Sequence, residues 1–195
     1  MKKSKIKRRL LIREGYKQIR QKGFHATSID EIVNNLNIPK GSFYYYFKNK
    51  DDFAMEVLDY YTDIALRRIE RTLNDNSISP KQRIIKLYSD FIDVYTNYGG
   101  LVYGNFASNL QHELAEKNPG ISEKVESYFE SIKSLHTACL QHARKAGEID
   151  RGQDVERLTK LIIYSWEGAI LRANSVNNIK SLFVFRELLR DFILK

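Results

Sequence analysis

The sequence has few of the residues that mark secreted, membrane-spanning and β-rich proteins. It contains one cysteine, Cys139, and 3 prolines in 195 residues. A single cysteine excludes an intramolecular disulfide framework and suits a reducing compartment, so we expect a cytoplasmic protein. The longest apolar stretch, residues 158–173, is interrupted by charged side chains and does not predict a membrane span. No apolar run of signal-peptide length follows the lysine-rich start.

Patterns typical of catalytic and metal sites are missing as well. The sequence has no glycine-rich phosphate loop, no nucleophile elbow and no convincing carboxylate pair. His112, His136 and His142 are not joined by cysteine or paired carboxylates at ligand spacing, so we predict no metal and no cofactor. Cys139 lies on an apolar helix face, as core cysteines commonly do. These absences argue against an enzyme.

Acidic residues are scarce in the first quarter of the chain. Residues 1–50 contain 13 Lys/Arg and 3 Asp/Glu, a net charge of +10, whereas the remainder contains 19 basic and 21 acidic residues. The excess of +8 in the whole chain therefore comes entirely from this N-terminal segment. A basic head on a slightly acidic body predicts a polyanionic partner at one end of the molecule.

The pattern of residues 27–50 predicts two short helices joined by a turn. Apolar residues recur at i, i+3, i+4 and i+7 from Ile29, and Ser28 and Glu31 have the spacing of a capping box. Pro39 then suits the first turn of a second helix. Such a pair is typical of a helix-turn-helix, whose second helix enters a major groove about 12 Å wide.

The second of these helices has a composition that suits contact with DNA. Phe43 and Phe47 are four residues apart and face inward, so three successive tyrosines cannot all be core residues. An αα-hairpin whose aromatic residues only pack is the structural alternative. We predict base contacts by Lys40, Gly41, Ser42 and Tyr44, and phosphate contacts by Thr27, Tyr45, Tyr46 and Lys50.

Several of these segments resemble the DNA-binding signature of the tetracycline-repressor (TetR) family of bacterial regulators. The resemblance covers roughly residues 10–53. Asn37 and Pro39 stand where glycine and serine are commoner in the family. The similar segments are Gly23-Phe24, Thr27-Ser28-Ile29, Ile32, Ile38 to Phe47 and Lys48-Asn49-Lys50. The resemblance implies a homodimeric regulator of transcription, usually a repressor, that binds a palindromic operator.

The remainder of the chain predicts an all-α body, because strand-like alternation is absent. We expect about nine helices in total, with a helix-turn-helix domain at residues 1–50 and an effector-binding and dimerisation domain at 51–195. The segment Asn118-Pro119-Gly120 predicts a turn before a helix that starts near Ser122. The last two helices, about 155–176 and 180–194, are apolar on more than one face, which predicts a homodimer interface like that of the family.

The family resemblance also implies a ligand cavity among the fourth to eighth helices. Aromatic walls with a few polar groups suit a flat or amphipathic small molecule, although the same residues can be ordinary core. Some similar regulators answer electrophiles or small organic acids, but Leu101 and Val102 stand where thiol-sensing members have a cysteine. The candidate lining residues are Tyr61, Phe91, Tyr95, Tyr103, Phe106, Asn109, Leu110, Glu113, Phe129, Ile132, His136 and Trp166.

The sequence therefore predicts a dimeric repressor that a small molecule releases from DNA. In this hypothesis the ligand tilts the long fourth helix, so that the two recognition helices no longer match half-sites about 34–36 Å apart. Two other classes stay open. One is an architectural DNA-binding protein without an effector, and the other is a helical enzyme or ligand carrier with an incidental basic head.

Overall fold

The computed structural model describes residues 2–97, 106–116 and 118–194. Within these ranges the chain forms nine α-helices and no β-strand, which confirms the predicted all-α class. The helices are α1 (Lys2–Lys22), α2 (Ile29–Asn35), α3 (Lys40–Tyr46), α4 (Lys50–Leu73), α5 (Pro80–Asn97), α6 (Phe106–Leu114), α7 (Pro119–Lys145), α8 (Val155–Ser175) and α9 (Lys180–Leu188), which continues as a π-helical segment (Leu189–Ile193).

The helices form two compact units that do not follow the chain in simple order. The first unit comprises Met1–Ile64 and Phe106–Glu126, and the second comprises Ala65–Asn105 and Ser127–Lys195. Helix α6 therefore belongs to the same unit as the helix-turn-helix. The boundary predicted at residue 50 divides the chain by function and not by contacts, and it stays a prediction.

The core of the first unit is a cluster of three phenylalanines. The ring of Phe53 lies 5.1 Å from Phe43 and 4.8 Å from Phe47, and all three side chains are buried. Gly15 on α1 lets Phe53 approach, since a Cβ at this glycine would lie 2.2 Å from the Phe53 ring. Each buried phenylalanine contributes roughly 1.5–3 kcal/mol of hydrophobic free energy, so this cluster fixes α3 against α1 and α4.

The start of α2 confirms the predicted capping box. The Glu31 N–H donates to Ser28 Oγ at 3.1 Å, and the Ser28 N–H donates to Glu31 Oε2 at 3.0 Å. Lys22 donates to the same carboxylate at 2.7 Å, and together with Ser28 it lowers the pKa of Glu31 to about 2. Asn37 then turns the chain toward α3 with a left-handed φ of 52°.

The turn predicted at residues 118–120 opens helix α7 instead of preceding it. The Ile121 N–H donates to the Asn118 carbonyl at 3.1 Å, and α7 begins at Pro119 rather than near Ser122. Proline has no N–H to lose at the first helical position, so it starts this helix instead of breaking the chain.

The second unit is built from α5, α8 and α9, with the end of α4 and most of α7. Trp166 on α8 lies 5.1 Å from Tyr88 and 5.2 Å from Phe185 between ring centroids, which joins the three helices. Arg83 is buried and ties α5 to the preceding loop by donating to the Ile78 carbonyl at 3.0 Å. Among the described residues, no helix is both long and apolar enough to cross a membrane.

Candidate nucleic-acid interface

Helix α3 presents one face to the core and the opposite face to solvent. Phe43 is fully buried, whereas 52% of Tyr44 and 76% of Tyr45 is exposed. The Tyr45 ring packs edge-on against the half-buried Tyr46 ring, with 4.9 Å between the centroids, so Tyr46 supports the exposed Tyr45. This exposed row of hydroxyls and the open N-terminal turn can enter a DNA groove without rearrangement of the core.

Gly41 lies on this exposed face, and nothing in the fold requires a glycine there. A Cβ built at Gly41 would meet no atom within 4 Å, and its φ lies outside the left-handed region. A glycine inside a helix costs up to about 1 kcal/mol relative to alanine. The feature that a glycine uniquely provides at this position is close approach of an outside surface to the α3 backbone.

Lys40, at the start of α3, is positioned by a carboxylate of α2. Its ammonium lies 2.9 Å from Asp30 Oδ1, and both side chains are more than half exposed. The hydrogen bond and charge of Asp30 raise the pKa of Lys40, so its side chain stays a cation. Because exposed ion pairs contribute little free energy, a phosphate or base edge can compete with Asp30 for this ammonium.

The structure corrects the role predicted for Thr27. Its side chain is buried, and its hydroxyl donates to the Gly23 carbonyl at 2.8 Å. A phosphate therefore has no access to this hydroxyl, and Thr27 stabilises the connection between α1 and α2 instead.

Lys50 is also engaged by the protein more than the sequence suggests. Its ammonium donates to the Phe24 carbonyl at 2.6 Å and lies 4.1 Å from the centroid of the Phe24 ring. Partial burial lowers the pKa of Lys50. An ammonium has three donors, so a phosphate contact stays a prediction, but the first partner of Lys50 is the polypeptide itself.

The predicted effector residues divide between the two compact units. The first unit contains Tyr61, Phe106, Asn109, Leu110 and Glu113, and the second contains Phe91, Tyr95, Phe129, Ile132, His136 and Trp166. Tyr103 lies outside the described residues. In the first unit Leu110 is a core residue, and the Phe106 ring lies 5.0 Å from the Tyr61 ring, which joins α6 to α4.

Glu113 has a place that differs from the predicted cavity wall. Its carboxylate accepts hydrogen bonds from the Phe24 and His25 N–H groups at 3.0 Å and 2.9 Å. No sequence signal points to this contact, because the partners are 89 and 88 residues apart.

In the second unit Phe91 and Trp166 contact Tyr88, which forms a buried polar pair with His136. His136 Nδ1 is 2.8 Å from the Ile132 carbonyl, which can only accept, so we place the imidazole hydrogen on Nδ1. Nε2 then accepts from the Tyr88 hydroxyl at 3.0 Å. Burial lowers the pKa of His136 to about 4 and raises that of Tyr88, so both groups are neutral near neutral pH. Sequence reasoning missed Tyr88, which occurs at helical spacing with Phe91 and Tyr95.

Cys139 is a structural residue rather than a reactive thiol. It is buried, and its Sγ donates to the Pro80 carbonyl at 3.3 Å. Burial raises the pKa of the thiol to about 11, which keeps it protonated. Among the described residues, no group of three or more His, Cys, Asp or Glu side chains is arranged to hold a metal ion.

Comparison with known protein families matches most of the chain. Residues 9–57 match the N-terminal family described as bacterial regulatory proteins, tetR family, and residues 80–188 match the tetracyclin repressor-like C-terminal domain. The chain belongs to the TetR family. It is a bacterial-type transcriptional regulator and not an enzyme, as the sequence predicts.

Individual relatives of this TetR-family chain are regulators too. The transcriptional regulator AcuR of Cereibacter sphaeroides is 29% identical over 163 residues, which cover 84% of this chain and 74% of AcuR. The HTH-type transcriptional repressor DhaR of Mycobacterium sp. is 27% identical over 187 residues, covering 96% of this chain and 92% of DhaR.

Solved structures of the family have the same fold. The regulatory protein TetR from Rhodobacter sphaeroides superimposes with a TM-score of 0.84 at 26% identity, covering 93% of this chain and 95% of that one. The reduced form of Escherichia coli NemR gives a TM-score of 0.85 at 20% identity, covering 94% and 95%. The fold assignment therefore extends over both units and is not limited to residues 10–53, where the sequence motif lies.

Proposed function

We propose that the protein is a dimeric, sequence-specific repressor in the bacterial cytoplasm that a small molecule releases from a palindromic operator. The observation that carries the DNA-binding part is the exposed face of α3, where Gly41 has no packing partner. Lys40, Gly41, Ser42 and Tyr44 approach the bases, and Tyr45 and Tyr46 contact phosphates. Lys50 contacts a phosphate while it also donates a hydrogen bond to the Phe24 carbonyl.

The surface of α8 supports the dimeric part of the proposal. Leu161, Tyr164 and Leu171 are each at least half exposed and follow one helix face. Gly168 lies in the same row, and a Cβ there would meet no atom of the chain within 4 Å. On α9 and its continuation, Val184, Leu188 and Phe192 are exposed as well. An apolar row with a central glycine suits close contact with the same row of a second copy.

The aromatic cluster of the second unit supports an effector site there. Trp166 stacks on Phe91 at 5.9 Å and meets Tyr95 edge-on at 6.4 Å, near the Tyr88 and His136 pair. We propose that Phe91, Tyr95, Phe129, Ile132, His136 and Trp166 bind a flat or amphipathic molecule. The first-unit residues Tyr61, Phe106, Asn109 and Leu110 remain further candidates, and Tyr103 remains a candidate from sequence alone.

Binding to the DNA upstream of the protein's own gene tests the DNA-binding part. In a gel shift with footprinting at moderate salt, the wild-type protein should protect a palindromic DNA site. The Lys40→Ala variant should bind this site more weakly. Lys133→Ala, which removes an exposed cation on α7 bonded to Glu130 at 2.9 Å, is the matched control and should bind normally. Equal, salt-sensitive binding to every DNA would instead support an architectural protein.

Trp166 provides a direct test of the effector part, because it is the only tryptophan in the chain. Titration with a panel of small carboxylic acids and flat aromatic compounds should shift the Trp166 emission for a ligand that also releases the operator. A compound that releases DNA without changing this emission would place the effector site elsewhere.

A further inference from the structure

Helix α6 is attached to the DNA-binding unit at both of its ends. At its start, the Phe106 ring lies 5.1 Å from Tyr16 on α1 and 5.0 Å from Tyr61 on α4. At its other end, Glu113 reaches the α1–α2 turn, which we define as residues 23–28. Two anchors on a helix of nine residues leave α6 little freedom to move independently of the unit that contains α3.

Glu113 holds the α1–α2 turn through three hydrogen bonds. Its Oε1 accepts from the Phe24 N–H at 3.0 Å, and its Oε2 accepts from the His25 N–H at 2.9 Å. His25 Nε2 lies 3.1 Å from the Glu113 carbonyl, which can only accept, so this ring nitrogen donates. A carboxylate that accepts hydrogen bonds from two successive backbone N–H groups makes a directional, charge-assisted contact.

The turn is shaped to receive this carboxylate. Gly23 has φ of +86°, and a Cβ there would lie 3.1 Å and 3.3 Å from the two carboxylate oxygens of Glu113. The Phe24 carbonyl is held as well, because the Lys50 ammonium donates a hydrogen bond to it at 2.6 Å. The backbone of Phe24 is therefore held from α6 through its N–H and from α4 through its carbonyl.

The turn leads directly into the helix-turn-helix. Ser28 caps α2, Thr27 is buried beside Gly23, and α2 packs against α3. A displacement of the turn must therefore displace α2 and, with it, the recognition helix. We propose that Glu113 is a positioning residue that fixes the orientation of α3 by clamping the α1–α2 turn to α6. This inference rests on the proposed sequence-specific function and adds to it a contact from α6, separate from the hypothesised tilt of α4, that sets the orientation of α3.

Amide hydrogen exchange of the full-length protein tests the clamp without DNA. Glu113→Gln keeps the shape of the side chain but only one accepting oxygen, so it cannot hold both N–H groups. Loss of a charge-assisted bond predicts exchange of the Phe24 and His25 amides about tenfold faster or more, with faster exchange in α3 and an unchanged rate in α8. Glu116→Gln removes an exposed carboxylate two residues after α6 and should match the wild type.

Operator spacing then tests the positioning role. Wild-type protein should prefer the native half-site spacing over operators with one base pair inserted or removed. Glu113→Gln should lose most of that preference, whereas Glu116→Gln, which leaves all three hydrogen bonds of the clamp in place, should retain it. A merely structural glutamate would weaken binding to all spacings by the same factor.

Two results would overturn the inference. One is wild-type exchange of the Phe24 and His25 amides in Glu113→Gln, and the other is wild-type discrimination between spacings by that variant. If the wild-type protein itself shows no preferred operator or spacing, the proposed sequence-specific function fails, and with it the positioning role. Faster exchange confined to the turn and α3 would then still show the clamp itself.

Discussion

At the scale of single residues, Gly41 and Gly168 are exposed helical glycines that the fold itself does not require. Gly15 and Gly23 have internal reasons, since Phe53 approaches the first and a left-handed φ occurs at the second. Gly41 and Gly168 have neither, because a Cβ at each would lie in open space. An exposed glycine that weakens its own helix is a sign of close approach by DNA or by another helix.

Replacing Gly41 by alanine should therefore improve the fold and harm DNA binding. We expect the free energy of unfolding to rise by up to about 1 kcal/mol, because alanine is the better helix former. Operator affinity should fall by about 1–3 kcal/mol, the size of one lost base contact. Thermal unfolding and a gel shift measure the two effects, and wild-type operator affinity in the variant would refute close approach at this position.

The buried imidazole of His136 predicts a pH dependence of stability. Its pKa is about 4 in the folded protein, against 6.5 for an unperturbed histidine. Between these values the unfolded chain binds the proton and the native protein does not, so stability falls as the pH falls. From pH 8 to pH 5 the loss from this group is about 2 kcal/mol.

Urea unfolding at the two pH values measures this loss. His136→Gln removes the titrating group, so the difference between the variant and the wild type isolates His136 from the exposed histidines. Identical pH dependence in the two proteins would show that His136 is not buried as a neutral imidazole.

At the scale of helices and their connections, buried polar side chains decide how one element follows another. Arg83 on α5 donates to the Leu73 carbonyl at the end of α4, to the Ile78 carbonyl and to Asn76 Oδ1, with distances of 3.0–3.3 Å. The last carbonyls of a helix have no partners within it. Arg83 supplies the missing donors and so fixes the direction in which α5 leaves α4.

Arg83→Met should destabilise the protein strongly. The variant leaves the carbonyls of the loop without their donors while keeping the apolar stem, and we expect a loss of about 2–4 kcal/mol. Chemical unfolding measures it, with Arg151→Met as a control, because Arg151 is exposed in the loop before α8. Equal unfolding midpoints for the two variants would contradict the capping role.

At the scale of the whole molecule, charge and apolar surface are distributed unevenly along the chain. The net charge of +10 lies in residues 1–50, which contain the exposed face of α3, and the exposed apolar row lies on α8 and α9. The proposed DNA contacts and the proposed dimer contacts therefore use different residues. Substitutions can be chosen that alter only one of the two sets.

A charge in the apolar row should separate the proposed dimer without unfolding the chain. Leu171 is 71% exposed, so Leu171→Glu costs the isolated chain little but places two carboxylates in a self-complementary interface. Sedimentation should show a monomer, and operator affinity should fall because one head reads one half-site. Ile64→Glu, at an exposed apolar residue of α4, is the control and should remain dimeric.

The sequence by itself determined the helix-turn-helix, the helical class and the family. These features depend on signals within a few residues: the capping box of Ser28 and Glu31, the turn at Asn37 and the apolar spacing of Phe43 and Phe47. Periodicity and capping act over one or two helical turns, so they can be read without knowing what packs where.

Only the tertiary structure decided which polar groups meet across the chain. Thr27 has a short, polar side chain in a basic segment, yet packing buries it beside Gly23. Glu113 was expected in a cavity wall, yet it reaches backbone groups 88 and 89 residues away. A carboxylate pairs with whichever donors the packed helices bring within about 3 Å, and no local pattern encodes that distance.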